Sequence, residues 1–267
     1  MSRRRFLKVA GGVALAAGGV GYWQMGEAHK LLVERRTLAL PRWSADGFRI
    51  AFLTDNHLHS ERTLERALRA VDLAAQEKPD LILIGGDTVD LHNRQTPGYI
   101  TRYFDAVRQT KIPALQTVGN HDYWCAYPEE ILRMLKDSGV PLLRNQVREV
   151  EGVHILGIDD GIMGRDKHDT LAARHDKNVI AVFHEPDFVD RIDRRASLML
   201  AGHSHGGQVK APFFDAIKLP RGARKYVEGY FPQTPVPLYV SRGVGTGGPD
   251  VRLFCPPEVT ILTLVSA

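Results

Sequence analysis

The sequence predicts an α/β fold in which several parallel strands end at one shared edge. Short apolar runs alternate along the chain with helical patterns of apolar residues. Most of these runs stop at an acidic residue, a histidine or a glycine. A strand, a helix and a second strand in that order form a βαβ unit, and the carboxyl ends of its two parallel strands lie at the same edge of a sheet.

The first βαβ unit runs from residue 48 to residue 87. Residues 48–53 are apolar and aromatic, as expected of a buried strand, and Asp55 follows them. Ser60 is a good N-cap for a helix that continues to about residue 77, because apolar residues recur there at helical spacing. Residues 81–84 form the second apolar strand, shortly before Asp87. This order places Asp55 and Asp87 at one edge of the sheet.

The same pattern continues through the rest of the chain. Further apolar strands are predicted at residues 114–118, 154–158, 179–183, 198–201, 238–241 and 259–265. A short helix is predicted to begin at Pro128 and to end near Gly139, because proline is favoured in the first turn and glycine just beyond the last. Residues 29–47 are mixed in character and are interpreted as a segment that leads into the domain.

Five segments that follow predicted strands carry residues of the kind that bind metals. They are Asp55-Asn56-His57, Gly86-Asp87, Gly119-Asn120-His121-Asp122, His184 and Gly202-His203-Ser204-His205. Imidazole and carboxylate groups together suit zinc, iron or manganese, whereas oxygen ligands alone would suit calcium or magnesium. The sequence therefore predicts a centre for two divalent metal ions, which can polarise a phosphoryl oxygen and activate water when they lie about 3.5–4 Å apart.

In this order, the five segments resemble the calcineurin-like metallophosphoesterase superfamily. Its D-x-H, G-D, G-N-H-[D/E], H and G-H-x-H blocks are all matched, and five ordered blocks are a specific signal. The resemblance covers residues 48–267. It implies a four-layer α/β fold, in which two mixed β-sheets pack face to face and helices cover both outer faces.

The resemblance also implies a role for each residue of the site. One metal ion would be held by Asp55, His57 and His205. The other would be held by Asn120, His184 and His203, and Asp87 would bridge the two. His121 would be a catalytic residue beside the scissile phosphate, oriented by Asp122. The two divalent ions would be manganese, iron or zinc.

Other candidate residues have plainer interpretations. Five of the eleven histidines fall into the blocks of the pattern, and the remaining six are interpreted as structural or solvated. Asp90 is interpreted as stabilising a turn. The glycine-rich segment 243–248 lacks the Lys-Ser/Thr of a phosphate-binding P-loop, so we expect a loop at the rim of the site, with Arg242 and Arg252 as candidate phosphate contacts.

The first 28 residues read as an export signal. Ser2-Arg3-Arg4-Arg5-Phe6-Leu7-Lys8 precedes a weakly apolar run from Val9 to about Met25, which is the layout of a bacterial twin-arginine signal. Either cleavage after this run or retention as a membrane anchor is compatible with the sequence. The twin-arginine export machinery is thus a predicted partner, and the predicted location is the periplasm or the outer face of the inner membrane.

The charge distribution argues against nucleic acid as a partner. The net charge is +4, but residues 1–28 hold four basic residues and one acidic residue, so only +1 remains for the other 239 residues. No basic footprint is left on the predicted domain. The two cysteines, Cys125 and Cys255, are expected to be buried and reduced.

The predicted function is hydrolysis of a phosphate ester. The stretch from Gly206 to Pro257 resembles a bacterial branch of exported phosphodiesterases of the YaeI and YkuE type, which favours a phosphodiester or pyrophosphate bond in an envelope or lipid-linked substrate. Two alternatives stay open. The first is a phosphomonoesterase acting on nucleotides or sugar phosphates, and the second is a metal-dependent envelope binding protein without catalysis. An intact His121-Asp122 pair speaks against the second.

Overall fold

Two mixed β-sheets face each other in the computed structural model, as the predicted fold class requires. The structure describes residues 28, 30–90, 93–167, 177–192, 194–210, 216 and 218–267. Apart from residue 28, the predicted export signal lies outside these residues.

The strands and helices follow the predicted order. The strands are β1 (Leu32–Leu40), β2 (Phe48–Leu53), β3 (Leu81–Gly85), β4 (Ala114–Thr117), β5 (Gln146–Val150), β6 (Val153–Gly157), β7 (Val179–Val182), β8 (Leu198–Ala201), β9 (Gly229–Phe231), β10 (Leu238–Val240) and β11 (Glu258–Ser266). The α-helices are α1 (Glu61–Gln76), α2 (Thr96–Gln109), α3 (Asn120–Trp124) and α4 (Pro128–Asp137). Short 3-10 helices cover Pro186–Arg191 and His205–Gly207. Every predicted strand and helix is present, with ends that differ by one or two residues.

The first sheet has the strand order β1-β11-β2-β3-β4, and the second has the order β5-β6-β7-β8-β10-β9. In the first sheet β2, β3 and β4 are parallel, β11 is antiparallel to β2, and β1 is parallel to β11. In the second sheet β6, β7, β8 and β10 are parallel, with an antiparallel strand at each edge.

Both sheets direct the carboxyl ends of their parallel strands to one side of the molecule. We name this side, where β2, β3, β4, β7 and β8 end, the carboxyl edge. Asp55 and Asp87, which follow β2 and β3, both approach His184, which follows β7, so the two sheets meet here. Because β1 runs antiparallel to β2, it begins at the carboxyl edge rather than ending there.

The core between the sheets is apolar. Phe52 and Leu83 of the first sheet belong to the same buried cluster as Ile155, Ile180 and Leu200 of the second. Each of these side chains is at most 2% exposed. Removal of this apolar surface from water is the main force that holds the two sheets together.

Three helices cover the outer face of the first sheet. Helices α1, α2 and α4 pack there in one buried cluster with residues of β2 and β3. The predicted N-cap of α1 is confirmed, because the Ser60 side chain accepts a hydrogen bond from the Thr63 backbone N–H and Thr63 Oγ1 accepts one from the Ser60 backbone N–H. None of the helices in the described part of the chain is long and apolar enough to cross a bilayer.

The outer face of the second sheet is covered more thinly. In the described residues, its apolar side chains pack against the 3-10 helix Pro186–Arg191 and against loop residues such as Tyr226 and Val236.

The segment 29–47, predicted to lead into the domain, is itself part of the first sheet. Its strand β1 pairs with β11 over nine positions, from Leu32 with Glu258 to Leu40 with Ser266. Leu38 and Leu40 are buried in the core between the sheets. The folded domain therefore begins earlier than the sequence pattern indicated.

Candidate metal centre

The backbone at the carboxyl edge is held in an unusual conformation. Five of the seven predicted metal ligands have a positive φ: Asp55 (56°), His57 (48°), Asp87 (49°), His203 (66°) and His205 (51°). The left-handed region costs a residue other than glycine roughly 1–2 kcal/mol. Such outliers cluster at functional sites, where the surrounding structure holds them in place.

Two glycines allow the loops to approach the ligands closely. A Cβ atom on Gly202 would lie 2.2 Å from Asp55 Oδ2, and one on Gly119 would lie 2.3 Å from Asp87 Oδ1. Since real Cβ atoms do not come so near to another heavy atom, a side chain at either position would displace a predicted ligand. This explains why glycine precedes His203 and Asn120 in the motifs.

The first group of ligand atoms, named site A, comprises Asp55 Oδ1, His57 Nε2 and His205 Nε2. The two ring nitrogens are 3.1 Å apart, and the Asp55 oxygen lies 3.4 Å from His205 and 4.0 Å from His57. Ligands about 2.1 Å from one cation are separated by about 3.0–3.4 Å at octahedral or tetrahedral angles. Site A therefore has nearly the dimensions of a metal site.

The second group, named site B, contains Asp87, His184 and His203. Asp87 Oδ2 and His184 Nε2 are 3.0 Å apart, and His203 offers a ring nitrogen within 4.8 Å of both. Asn120, the remaining predicted ligand, is fully buried, and both polar atoms of its side chain lack a hydrogen-bond partner in the described structure. It follows Gly119, which contacts both Asp87 and His184.

Asp87 lies between the two sites. Its Oδ2 atom is 3.0 Å from His184 Nε2 in site B and 3.7 Å from His57 Nε2 in site A. Its other oxygen accepts a hydrogen bond from the backbone N–H of His121. Although burial opposes ionisation, the positive charge of His184 holds the pKa of Asp87 well below its usual range. A carboxylate in this position is suited to bridge two cations.

The polar atoms of the centre fit the metals that the family pattern implies. Asp87 Oδ2 and His184 Nε2 are buried and close together, yet neither has a hydrogen-bond partner among the described residues. Buried polar groups are normally paired, so atoms without a hydrogen-bond partner that converge on one point fit a role as metal ligands. Clustered Asp and His side chains of this kind are consistent with a binuclear divalent site.

Hydrogen bonds to the backbone orient the site B histidines. His184 Nδ1 lies 2.9 Å from the carbonyl oxygen of Gly85, and His203 Nε2 lies 2.9 Å from that of Arg221. A ring nitrogen that faces a carbonyl carries a proton, so the other nitrogen is the one that would give up its proton and present a lone pair when a cation binds at site B. At site A, burial and the neighbouring His57 lower the pKa of His205 far below its usual value, so this ring is also neutral.

The ring of His121 is held by Asp90, which corrects the predicted pairing with Asp122. His121 Nδ1 lies 2.8 Å from Asp90 Oδ1, and the same oxygen is 3.5 Å from His57 Nδ1. Burial disfavours the charged ring, but the hydrogen bond that it donates to Asp90 and the charge of Asp87 raise the pKa of His121 to about 9. The side chain of His121 is 26% exposed, so a substrate can reach it.

Asp122 stabilises the loops instead. Its carboxylate is fully buried and accepts hydrogen bonds from the backbone N–H groups of Thr88, Val89 and Gly119. Burial and the charge of Asp87 raise the pKa of Asp122 to about 7. Asp122 thus ties the loop after β3 to the start of α3. The sequence offers one signal for the role of Asp90, which is its position three residues after Asp87. The same position is typical of a residue that stabilises a turn, so the signal is ambiguous.

The two arginines suggested as phosphate contacts have structural roles. Arg252 is fully buried, and its guanidinium donates to the carbonyl oxygens of His205, Gly245 and Cys255, among others. Burial lowers the pKa of Arg252 to about 10. Arg242 pairs with Glu258 at 2.9 Å. Arg252 therefore holds the glycine-rich loop and the His205 turn together and is too deeply buried for the expected phosphate contact, whereas for Arg242, whose side chain is 19% exposed, that contact stays a prediction.

The family model for calcineurin-like phosphoesterases matches residues 48–207, which carry all five ligand segments. The chain belongs to this family. Members of the calcineurin-like phosphoesterase family are metal-dependent phosphoesterases, and the matched residues include every side chain of sites A and B.

Relatives match over the whole chain. An uncharacterized metallophosphoesterase of Bacillus subtilis, YkuE, is 31% identical over 284 residues, covering 100% of this chain and 98% of its own. The phosphodiesterase YaeI of Escherichia coli is 30% identical over 272 residues, covering 99% and 100%. These two matches include the first strand and the C-terminal strand, which lie outside residues 48–207.

A solved structure supports the fold. The protein TT1561 of Thermus thermophilus aligns with a TM-score of 0.51 and 12% identity, covering 73% of this chain and 89% of the other. At this level of identity the likeness concerns the fold alone.

Proposed function

We propose that this protein is a binuclear phosphodiesterase that cleaves a phosphodiester or pyrophosphate bond in an envelope or lipid-linked substrate. The observation that carries the proposal is the convergence of sites A and B on Asp87, with the ring of His121 at their rim. His121 touches the centre directly, because its ring packs edge-on against that of His57 with centroids 4.7 Å apart. A substrate phosphate held at the centre would therefore be within reach of His121.

The proposed ligands are those of the family pattern: Asp55, His57 and His205 at site A, and Asn120, His184 and His203 at site B, with Asp87 shared. Two divalent cations, when bound by these residues, would neutralise phosphate charge and activate water. All seven side chains are buried, so the centre offers little room for bulk water around the ligand atoms.

His121 is the proposed proton donor to the leaving oxygen. Asp90 holds Nδ1, which leaves Nε2 to carry a proton toward the rim. A pKa raised to about 9 keeps the ring protonated at neutral pH, as a general acid requires. A positioned group of this kind typically contributes about 10²- to 10⁴-fold to the rate. A protein that only bound phosphate esters would have no use for this group.

The preference for a diester rests on similarity to YaeI, a relative named as a phosphodiesterase, over almost its full length. The twin-arginine pattern of residues 2–8 supports export through the twin-arginine machinery to the periplasm or the outer face of the inner membrane. An enzyme in that place would meet envelope phosphates rather than cytoplasmic nucleotides.

Paired substrates test the proposal. The purified protein, with its metal content measured, should hydrolyse bis(4-nitrophenyl) phosphate faster than 4-nitrophenyl phosphate. His121→Ala should lower kcat on the diester by about 10²-fold or more while metal content is retained. His154→Ala is the matched control, because His154 lies on β6 away from the centre.

Three results would contradict the proposal. Preference for the monoester would favour the phosphomonoesterase alternative. Full metal loading without turnover of either substrate would favour a binding protein. Full activity of His121→Ala would remove the proposed role of this residue.

A further inference from the structure

The export signal joins the folded domain at the carboxyl edge, next to the metal centre. Strand β1 begins at this edge, and its first residue, Leu32, pairs with Glu258. The backbone N–H of Glu258 donates to the carbonyl oxygen of Gly243 in the glycine-rich loop. That loop contacts Asp55, because a Cβ atom on Gly243 would lie 2.8 Å from Asp55 Cβ. The topology alone therefore brings the chain into the domain beside site A.

A second set of contacts leads to the same place. The carbonyl oxygen of Ala28 accepts a hydrogen bond from Arg66 Nη1 at 3.0 Å. The same nitrogen lies 2.7 Å from Asp250 Oδ1, and this oxygen accepts a hydrogen bond from Thr246. The next residue, Gly247, lies against the ring of His205, a site A ligand. Ala28 is thus fixed at the rim of the centre.

The distance to the apolar part of the signal is short. The weakly apolar run ends at about Met25, three residues before Ala28. Three residues of extended chain span at most about 10 Å. If the run is retained in a membrane, Ala28 lies within about 10 Å of the point where the chain leaves that membrane.

The large hydrophobic side chains that the described residues expose lie at this edge as well. Trp124 is 55% exposed, and its ring is 5.3 Å from that of His121. Its indole N–H donates to the sulfur of Met163, which is 41% exposed. Tyr127 is 60% exposed and follows Trp124 by three residues. Phe254 is 45% exposed. It precedes Cys255, whose thiol contacts the carbonyl oxygen of His205. We name these four side chains the apolar rim.

We infer that the apolar rim docks the carboxyl edge on a lipid bilayer, so that the substrate is a phosphoester in the headgroup of a lipid. Trp and Tyr are the side chains that favour the boundary between headgroups and acyl chains, and the rim contains one of each. The attachment point of the signal faces the same surface. The substrate part of this inference rests on the proposed function, whereas the docking does not.

A bilayer accounts for both observations at once. Exposed aromatic side chains around an active site could also bind one apolar group of a soluble substrate. That role would not require the signal to enter the domain at the same edge, within three residues of its apolar run. Anchoring by two elements also fits the weak apolar run, because one marginal anchor gives only reversible membrane binding.

Tryptophan fluorescence tests the docking. The sequence has three tryptophans, Trp23, Trp43 and Trp124. Trp43 is buried and lies between β1 and β2, at the end of the first sheet opposite the carboxyl edge. The length of β1 separates these two ends by about 27 Å. The full-length chain with Trp23→Phe and Trp43→Phe reports Trp124 alone. The matched control carries Trp23→Phe and Trp124→Phe and reports Trp43 alone.

Both proteins are added to vesicles of phosphatidylethanolamine and phosphatidylglycerol whose acyl chains carry bromine, a short-range quencher. We expect bromine to quench Trp124 and to leave Trp43 unchanged. Failure to associate with the vesicles, association without quenching of Trp124, or equal quenching of both residues would each overturn the docking. A rim that seats a protein partner instead would give one of the first two results.

Turnover separates this inference from the proposed function. Trp124→Ser combined with Tyr127→Ser should lower the ratio of lipid phosphodiester turnover in vesicles to soluble aryl diester turnover by about tenfold, and Trp124→Phe with Tyr127→Phe should restore most of the ratio. An unchanged ratio overturns the substrate part. Quenching of Trp124 in a protein without any phosphoesterase activity would leave the docking in place and reject the proposed function.

Discussion

His121 Nδ1 lies 2.8 Å from Asp90 Oδ1, and the same carboxylate oxygen lies 3.5 Å from the ring of His57. One buried side chain therefore positions both the proposed proton donor and a proposed metal ligand. Although burial opposes its ionisation, its hydrogen bonds with His121 and His57 hold the pKa of Asp90 well below its usual range. The carboxylate is charged at any pH at which the enzyme would work.

Asp90→Asn should move the alkaline limb of the activity profile to lower pH. The hydrogen bond and charge of Asp90 raise the pKa of His121, so their loss lowers it and the ring loses its proton earlier as the pH rises. We also expect kcat on an aryl diester to fall by about 10-fold or more. The measurement is kcat against pH for both proteins, and an alkaline limb that stays in place would refute the role of Asp90.

Asp122→Ala should act on stability rather than on the proton donor. It leaves three buried backbone N–H groups without their acceptor, and each such loss costs about 1–3 kcal/mol. We expect a fall of at least about 2 kcal/mol in the free energy of unfolding, measured by urea denaturation. The alkaline limb of the residual activity should keep its position, and a shift like that of Asp90→Asn would restore the originally predicted pairing.

Gly202→Ala should disrupt site A. The added Cβ would lie 2.2 Å from Asp55 Oδ2, so Asp55 must move away from His205. We expect metal content to fall by about one ion per chain and turnover to fall with it. Gly98→Ala is the matched control, because nothing lies within 4 Å of its added Cβ inside α2. That change should raise stability by about 0.5–1 kcal/mol and retain both metals.

Removal of metal should destabilise the protein strongly. The ligands are buried charges and orphaned polar atoms, and five of them have a strained backbone. A ligand at 100 times its Kd stabilises the folded state by about 2.7 kcal/mol per site. We expect chelation to lower Tm by several degrees and manganese or zinc to restore it in a dose-dependent way. A Tm that changes neither on chelation nor on addition of metal would contradict metal binding at sites A and B.

The sequence was sufficient to predict the strands and helices in which apolar residues form a continuous run or recur at helical spacing. Strands such as Phe48–Leu53 and Leu81–Gly85 are buried apolar runs, and α1 has both a capping residue and an amphipathic face. Strand β1 was missed because its central residues, Glu34 to Thr37, are polar and exposed or half-buried, which breaks the apolar pattern of a buried strand. Its place in the sheet depends on pairing with β11, more than 200 residues away, and no local signal records that pairing.

The ligand segments were predictable because their residue types and order are specific. The hydrogen-bond partners within the site were not. Asp122 is adjacent to His121 in the sequence and Asp90 is 31 residues away, so the sequence favours Asp122, whereas the partner in the fold depends on the turn after Asp87. That turn directs Thr88 and Val89 N–H toward Asp122 and leaves Asp90 to face the two rings. Backbone geometry of this kind is set by the completed fold.

The pairing of β1 with β11 has a consequence for biosynthesis. Strand β11 lies between β1 and β2, so the first sheet lacks an interior strand until residues 258–266 have been synthesised. A nascent chain that ends before residue 258 leaves the edges of β1 and β2 unpaired, which exposes it to aggregation. The first sheet therefore cannot be completed before β11 has been synthesised and has inserted between β1 and β2.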